Sequence, residues 1–227
     1  MSIRSKVMAA AATLTLVGGL SVAGTLSASA ATPSCGKDCI NIFLREFGTH
    51  KHPNFVLDVY QQSAKVGQKI ILFRTSNSDP AEDFTVSNQG TVADFFAAGL
   101  VSAALDLHYS SDEAFEFEYS PLGADSGLCV GVASTPVNGT PVSLQPCGVS
   151  AKTVWVVDSA DTIKGGYVPL INGADTNFSH PFVLHYPGNG YPTDTPRPQL
   201  NTWNLQTFSN GTVYSNEMWG ANVGVLP

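Results

Sequence analysis

The stretch LCVGVASTPVNGTPVSLQPCG, residues 128–148, places two apolar arms on either side of the dipeptide Asn138-Gly139. Asn-Gly between alternating apolar residues is a strong short-range signal for a β-hairpin. Cys129 and Cys147 lie near the far ends of the two arms. Residue 129 would face residue 148 across a two-residue turn, so pairing the cysteines requires a one-residue bulge or a longer turn. The stretch therefore predicts a hairpin closed by a disulfide.

This hairpin is the middle one of three similar units. Each unit has an apolar strand, a turn, a second apolar strand and a short motif that ends in an aromatic residue. The units cover residues 56–59, 70–73 and 82–84, then 128–132, 142–144 and 153–155, then 182–186, 199–201 and 217–219. Because one such unit cannot bury its apolar face alone, we expect three to pack around a pseudo-threefold axis. Phe84, Trp155 and Trp219 would then share one core.

Strand signals dominate the rest of the chain. Short β-branched or aromatic runs are separated by Gly, Pro, Asn, Asp and Ser. The best helix candidate is residues 91–105, where Gly99 and the β-branched residues weaken the helical pattern. The sequence predicts an all-β protein with one short helix.

The middle unit, with its elements LCVGV, NGTPVSLQPCG and TVW, resembles a repeat of the ricin B-type β-trefoil lectins. That family's repeat has a Cys-containing first strand, a Gly-led second strand, a Leu-x-x-Cys element and a Gln-x-Trp ending. SNEMW, residues 215–219, resembles the Asn-Gln-x-Trp ending, with Glu217 at the Gln position. VLDV and AEDF in the first unit resemble degenerate versions of the same elements. From about residue 40 onward, the chain is thus similar to a secreted bacterial lectin with degenerate repeats.

The resemblance implies an all-β fold, a decorated β-trefoil with three degenerate repeats in a single domain over residues 31–227. A β-sandwich of similar strands is the alternative. The terminal aromatic residues 84, 155 and 219 are farther apart than in a compact trefoil repeat. We therefore expect insertions near residues 95–120 and in the Pro-rich segment 186–198.

The resemblance also implies a way to bind sugar. In sugar-binding members of the family, an Asp on the first strand accepts hydrogen bonds from vicinal hydroxyls, and an aromatic residue on the second strand stacks on the sugar. An Asn beside the Gln-x-Trp element completes the pocket. By position, the middle unit has Gly131, Gln145 and Lys152 instead, so we expect its hairpin to be scaffold only.

The other two units keep more of this pattern. The first has Asp58 at the carboxylate position, although Asp58 is equally a turn residue and Phe73 equally a core residue. The third has Asn201 at the aromatic position, where Trp203 offers a stacking face instead. The candidate carbohydrate-binding residues are Asp58, Phe73 and Glu82 in the first unit and His185, Gln199, Asn216 and Glu217 in the third.

The N-terminus reads as a secretory signal peptide over residues 1–30. Arg4 and Lys6 form the basic region, an apolar run follows, and Ala28-Ser29-Ala30 matches a cleavage site. We expect secretion, and four cysteines in an exported protein indicate two disulfides. Local pairing, Cys35 with Cys39 and Cys129 with Cys147, is preferred to the crossed connectivities.

The charge of the chain excludes some partners. Eleven basic residues stand against eighteen acidic ones, and no Lys/Arg cluster follows the signal peptide. An acidic surface repels phosphate groups, so we expect neither nucleic acid nor a membrane as a partner.

Catalytic and metal motifs are weak. The His50-x-His52 pair lacks further ligands that would complete a metal site. The segment 123–127 resembles a serine-protease motif without its histidine partner. Glu116 and Glu118 alternate with aromatic residues, which is typical of a solvated strand face rather than a glycosidase pair. We expect no enzyme activity, no metal and no cofactor.

These observations predict a secreted, non-catalytic, lectin-like module that binds a carbohydrate or polysaccharide. The alternative is a trefoil that binds an extracellular protein through its loops, for example as a hydrolase inhibitor without a sugar site. The Pro-rich segment 186–198 motivates that alternative, because prolines pre-organise an exposed loop.

Overall fold

In a computed structural model of the protein, the described residues are 39–45, 55–76, 79–161, 166–188 and 198–221. The expected signal peptide, Cys35, the His50–His52 pair and most of the Pro-rich segment lie outside these ranges. No α-helix of the described residues is long and apolar enough to cross a bilayer.

The described residues form twelve β-strands and two α-helices. The strands are β1 Ile42–Leu44, β2 Phe55–Val59, β3 Ile70–Arg74, β4 Phe84–Thr91, β5 Glu113–Tyr119, β6 Leu128–Val132, β7 Thr140–Pro146, β8 Trp155–Val157, β9 Leu170–Asn172, β10 Phe182–His185, β11 Asn201–Asn204 and β12 Trp219–Ala221. The helices are α1 Val92–Ala97 and α2 Ala103–Tyr109. Short 3-10 helices occupy Tyr60–Gln62, Pro80–Glu82, Pro121–Gly123, Ala151–Thr153, Ser159–Asp161 and Ser215–Glu217.

The three predicted units are three antiparallel hairpins: β2–β3, β6–β7 and β10–β11. A one-turn 3-10 helix follows each hairpin and ends two residues before an aromatic residue. The Trp155 indole Nε1 donates to the Val130 carbonyl at 2.9 Å, and the Trp219 Nε1 donates to the Leu184 carbonyl at 2.8 Å. The same hydrogen bond thus occurs at equivalent positions of the middle and third units. It shows which residues of the two units correspond to each other.

The second strands of the hairpins join in a ring. Leu144 N donates to the Gln68 carbonyl, Val142 N to the Leu200 carbonyl and Leu200 N to the Ile70 carbonyl. The ends of the described chain also meet, because β1 pairs with both β2 and β12. The pseudo-threefold arrangement is therefore closed by backbone hydrogen bonds.

One apolar cluster fills the centre. Phe84, Trp155 and Trp219 are fully buried in it, together with core-facing residues of all three hairpins. Burying aromatic rings of this size removes a large apolar area from water. The shared aromatic core predicted from the repeats is confirmed.

The single helix expected over residues 91–105 is instead the pair α1 and α2. Thr91 forms a capping box with Asp94 at the start of α1, and Ser102 caps α2. Gly99 between them has a φ of 75°, which favours glycine and ends the first helix. Both helices pack on a second apolar cluster whose members are Val92, Phe95, Val101, Leu105, Ala114, Val154, Val156, Ile171 and Val183.

The disulfide between Cys129 and Cys147 closes the middle hairpin. Cys129 pairs in register with Gln145, and the last pair before the turn is Val132 with Val142. Of the two alternatives, a bulge or a longer turn, the hairpin therefore has the longer turn. This bond contributes about 3 kcal/mol to stability in the chain-entropy model. Cys39 is also disulfide-bonded, whereas its expected partner Cys35 lies outside the described ranges.

Candidate functional site

Each unit has one position at which the resemblance to the ricin B-type repeat implies a sugar-binding Asp. It is Asp58 in the first unit, Gly131 in the middle unit and His185 in the third. In each first strand the preceding residue, Leu57, Val130 or Leu184, lies in the central core. The side chain at the compared position therefore points to the opposite face of the sheet. Each of these strands packs against the 3-10 helix of its own unit. The three positions can therefore be compared directly.

In the middle unit this position is filled by protein. A Cβ atom at Gly131 would lie 2.6 Å from the Lys152 carbonyl oxygen, so only glycine fits. The Lys152 ammonium turns away to the Ala133 carbonyl at 3.0 Å, and Gln145 donates to Ser143 Oγ. The geometry leaves no room for a ligand at this place.

In the first unit Asp58 and Phe73 lie on one face of the hairpin, but the Asp58 carboxylate is buried. Asp58 pairs with Ile71 and Val56 with Phe73, so Asp58 and Phe73 point to the same side. Phe73 is half-buried, whereas Asp58 is only 3% exposed. A carboxylate buried to this degree is a poor acceptor for a sugar hydroxyl arriving from solvent.

Glu82 holds the loop beside Asp58. Its carboxylate accepts from Ser76 N at 2.8 Å and from Thr75 Oγ1 at 3.0 Å. Burial raises the pKa of Glu82 to about 8 against the opposing effect of these bonds, and the charges of Asp58 and Asp79 add to the rise. Glu82 thus holds Thr75 and Ser76, the residues that follow β3, by hydrogen bonds.

Carboxylate oxygens of Asp58, Asp79 and Glu82 lie within 4.8 Å of one another. Oxygen ligands of this kind suit Ca²⁺. However, Asp79 Oδ1 already accepts from Ala81 N at 3.0 Å and Gln62 Nε2 at 2.9 Å, as an N-cap does. Because turn and loop donors account for the Asp79 and Glu82 carboxylates, we assign no cation to the cluster.

The third unit brings its polar residues into a continuous chain of hydrogen bonds. His185 Nδ1 lies 2.8 Å from Asn201 Oδ1, and its Nε2 lies 3.0 Å from Asn216 Nδ2. Asn201 is directly opposite His185 across the β10–β11 pair. Asn216 comes from the 3-10 helix that precedes Trp219. Side chains from two other elements therefore converge on the imidazole of β10.

This network fixes the tautomer and the protonation state of His185. The Asn216 amide donates to His185 Nε2 and to the Tyr186 carbonyl at 3.2 Å, so Nε2 must be the acceptor. The proton is then on Nδ1 and is donated to Asn201 Oδ1. Burial lowers the pKa of His185, and the bond to Asn201 opposes this. The imidazole is therefore held neutral.

Trp203 supplies the aromatic face of the site. Its ring centroid lies 5.6 Å from that of His185 at an interplanar angle of 30°, and the indole is half-buried. It lies two residues after Asn201, so both side chains are on the same face of β11. In the sequence, the pattern Asn-x-Trp in β11 and the apolar run Phe-Val-Leu-His in β10 are the signals for the pairing of these two strands.

Gln199 and Glu217 are occupied by contacts within the fold. Gln199 Nε2 donates to the Val142 carbonyl at 2.9 Å, which links the third unit to the second. Glu217 is fully buried, and its Oε2 accepts from Gln206 N at 2.7 Å. Burial raises the pKa of Glu217 to about 8. Neither side chain belongs to the hydrogen-bonded chain around His185.

The solvated strand face predicted for Glu116 and Glu118 is wrong. Glu116 is fully buried and accepts from Gly148 N at 2.9 Å, from Thr153 Oγ1 at 2.5 Å and from Asn88. Glu118, also buried, accepts from Gly127 N. Residues next to the middle hairpin pack over this side of β5, so both faces of the strand are covered.

Comparisons with known proteins concern the fold. No protein-family model and no curated protein matches the chain. The chain is similar to a designed threefold-symmetric protein, ThreeFoil, with a TM-score of 0.53 and 12% identity over 82% of this chain and 98% of that one. It is also similar to an exo-β-1,3-galactanase from Clostridium thermocellum, with a TM-score of 0.52 and 13% identity over 82% of this chain and 30% of the enzyme. A mosquitocidal holotoxin matches with a TM-score of 0.51 and 10% identity over 81% of this chain and 17% of the toxin.

These likenesses agree with the ring of three hairpins around one aromatic core. The fold is a β-trefoil. The pseudo-threefold packing predicted from the repeats and the trefoil implied by the resemblance are both confirmed, and the β-sandwich alternative is excluded. This trefoil spans under a third of the galactanase and of the toxin, so it corresponds to one part of each. What the trefoil binds has to be argued from its own residues.

Residues 189–197, at the centre of the Pro-rich segment, lie outside the described ranges. Protein binding through that segment, the alternative function, stays a prediction.

Proposed function

We propose that this trefoil is a carbohydrate-binding protein without catalytic activity, and that its working site is in the third unit. The observation that carries the proposal is the chain Asn201–His185–Asn216 beside the half-buried Trp203 ring. Sugar rings have polar edges and an apolar face, so a recognition site needs an aromatic surface bordered by oriented polar groups. The third unit has both.

The site also has groups left to offer a ligand. Among the described residues, no hydrogen bond engages Asn201 Nδ2 or the Trp203 indole nitrogen. Since His185 fixes the Asn201 amide, its NH₂ group is pre-oriented, which reduces the entropy lost on binding. These donors suit the hydroxyl and ring oxygens of a saccharide.

The same network supports binding rather than catalysis. Both ring nitrogens of His185 are used in hydrogen bonds, so the imidazole offers neither a free base nor a free acid. Glu217, the carboxyl next to Asn216, is buried and bonded to Gln206 N. A glycosidase needs two carboxyl groups facing the scissile bond, whereas among the described residues no carboxyl group hydrogen-bonds to the His185 network.

We place the protein outside the cell. The signal-like residues 1–30 support this, and so does the disulfide Cys129–Cys147, since such bonds persist in oxidising compartments. Polysaccharides of the surroundings or of a cell wall would be within reach there.

The test is calorimetric titration of the secreted protein, disulfides intact, with lactose, cellobiose and N,N′-diacetylchitobiose. We expect saturable binding to at least one of them and its loss in Trp203→Ala. Phe96→Ala is the matched control, because Phe96 is an exposed aromatic residue on α1. Equal binding by Trp203→Ala and wild type would remove the third unit from the proposal.

A further inference from the structure

The segment between β11 and the last 3-10 helix forms a small hairpin, residues 206–214. Thr207 and Val213 form an isolated β-bridge, and Phe208 N donates to the Thr212 carbonyl at 2.8 Å. Gly211, with a φ of 81°, allows the tight turn, and Asn210 Oδ1 accepts from Thr212 N at 3.0 Å. Local bonds therefore order this hairpin.

One aromatic ring of the hairpin is held in place but left open to solvent. Phe208 stacks on Tyr214 with ring centroids 4.1 Å apart and an interplanar angle of 17°. Phe208 is nevertheless 49% exposed, while Val213 on the same hairpin is buried. The stack fixes the plane of the Phe208 ring and covers one of its faces. The other face is a pre-organised apolar surface.

The hairpin is continuous with the proposed sugar site. Its base is fixed by Gln206 N to Glu217 Oε2 at 2.7 Å and by Tyr214 N to the Gln206 carbonyl at 3.0 Å. Glu217 is the neighbour of Asn216, and Trp203 lies three residues before Gln206. Both ends of the hairpin thus attach to residues adjoining the His185 network.

The chemistry around Phe208 favours an uncharged ligand rich in hydroxyl groups. From Gln199 through Asn216 the chain has no charged side chain. Gln206, Thr207, Ser209, Asn210 and Thr212 are all exposed. Binding of nucleic acid or of an anionic membrane would need basic groups here. Amide and hydroxyl groups beside an aromatic face suit a neutral saccharide.

We propose that the Phe208–Tyr214 pair is a second stacking subsite, and that the ligand is a neutral oligosaccharide or polysaccharide chain that occupies both Trp203 and Phe208. This inference rests on the proposed function, because Trp203 provides the first contact. Two aromatic contacts on one ligand add their free energies without a second loss of translational freedom. A single sugar would use only the first.

The test is the dependence of affinity on chain length. Wild type is titrated with β-1,3- and β-1,4-linked gluco- and galacto-oligosaccharides of two to six units. We expect affinity to rise with length in at least one series. Phe208→Ala should weaken binding of the hexamer about tenfold, as expected for one lost stacking contact, and leave the disaccharide almost unchanged. Phe208→Tyr, which keeps the ring, should restore the length dependence.

Phe96→Ala is again the matched exposed control, and the melting temperature of Phe208→Ala checks that the fold is intact. If Trp203→Ala abolishes binding but Phe208→Ala follows wild type at every length, the subsite is wrong and the proposed function stands. If wild type binds none of the saccharides, including the disaccharides used above, both fail together.

Discussion

The Gln position of the trefoil repeat carries a buried glutamate twice, Glu82 and Glu217. Burial raises the pKa of each carboxyl to about 8 from an ordinary value of 4.5. The folded state thus holds a proton that the unfolded chain releases above pH 4.5. The contribution of each group to stability is complete below pH 4.5 and is lost as the pH rises through 8. Glu82 has two donors to its carboxylate, whereas Glu217 Oε1 has no partner among the described residues.

Glu217→Gln should therefore stabilise the protein in a pH-dependent way. The glutamine keeps an acceptor for Gln206 N and removes the buried charge. We expect the variant to melt within about 1 °C of wild type at pH 5 and several degrees higher at pH 8.5. Thermal unfolding followed by circular dichroism between pH 5 and 9 measures this.

Exposed Glu113→Gln is the control for loss of one negative charge. A melting difference for Glu217→Gln that stays constant from pH 5 to 8.5 would show that the carboxyl does not titrate with folding.

At the scale of the element, the middle hairpin supports the site of the next unit. Gly139 N donates to the Thr202 carbonyl at 2.8 Å, and Asn204 N donates to Asn138 Oδ1 at 2.7 Å. A Cβ atom added at Gly139 would lie 4.0 Å from the Trp203 ring. The hairpin tip thus positions β11, and the disulfide at its other end fastens the two arms. The hairpin has a structural role. The Lys152 carbonyl occupies the space beside Gly131, so the hairpin has no pocket there.

Replacing both Cys129 and Cys147 by alanine should lower stability without changing recognition. Loss of the cross-link should reduce the free energy of unfolding by about 3 kcal/mol. The bonds at the tip do not depend on the disulfide, so the folded variant at 15 °C should bind saccharide within about twofold of wild type. Urea unfolding followed by tryptophan fluorescence gives the first value and calorimetry the second.

Val149→Ala, an exposed change beside the disulfide, should alter neither quantity. A large loss of affinity in the folded double variant would mean that the disulfide itself positions the site.

At the scale of the whole molecule, three equivalent positions have three different environments. The Lys152 carbonyl closes the middle one, the first holds the buried carboxylate of Asp58, and the third holds the buried imidazole of His185 beside the half-buried Trp203 ring. The three units of the pseudo-threefold fold are therefore not equivalent at this position. A symmetric trefoil could gain avidity from repeated sites. The proposed function instead rests on a single site in the third unit, which the proposed Phe208 subsite would extend.

Titration with the disaccharide that binds best should accordingly give one site per chain. Isothermal calorimetry at protein concentrations above the dissociation constant measures the stoichiometry directly. Trp203→Ala should then show no site at all. A value of two for wild type, reduced to one in Trp203→Ala, would restore the first unit, with Asp58 and Phe73, as a binding site.

Local sequence patterns were sufficient for the architecture. Short β-branched and aromatic runs and the Asn138-Gly139 turn are local signals, and they predicted the hairpins and the Cys129–Cys147 bond. The recurring aromatic residues predicted the shared core. The helix over 91–105 was misjudged as one element, because the positive φ at Gly99 divides it.

The site depended on contacts that no local pattern contains. His185 and Asn216 are 31 residues apart, and Thr153 reaches Glu116 across 37 residues. The sequence alone determined which residues could stand at the three equivalent positions. Only the tertiary structure decided that one is filled by a carbonyl, one holds a buried carboxylate and one holds a buried imidazole beside a half-buried indole. The physical reason is that burial is set by elements that arrive from elsewhere in the chain.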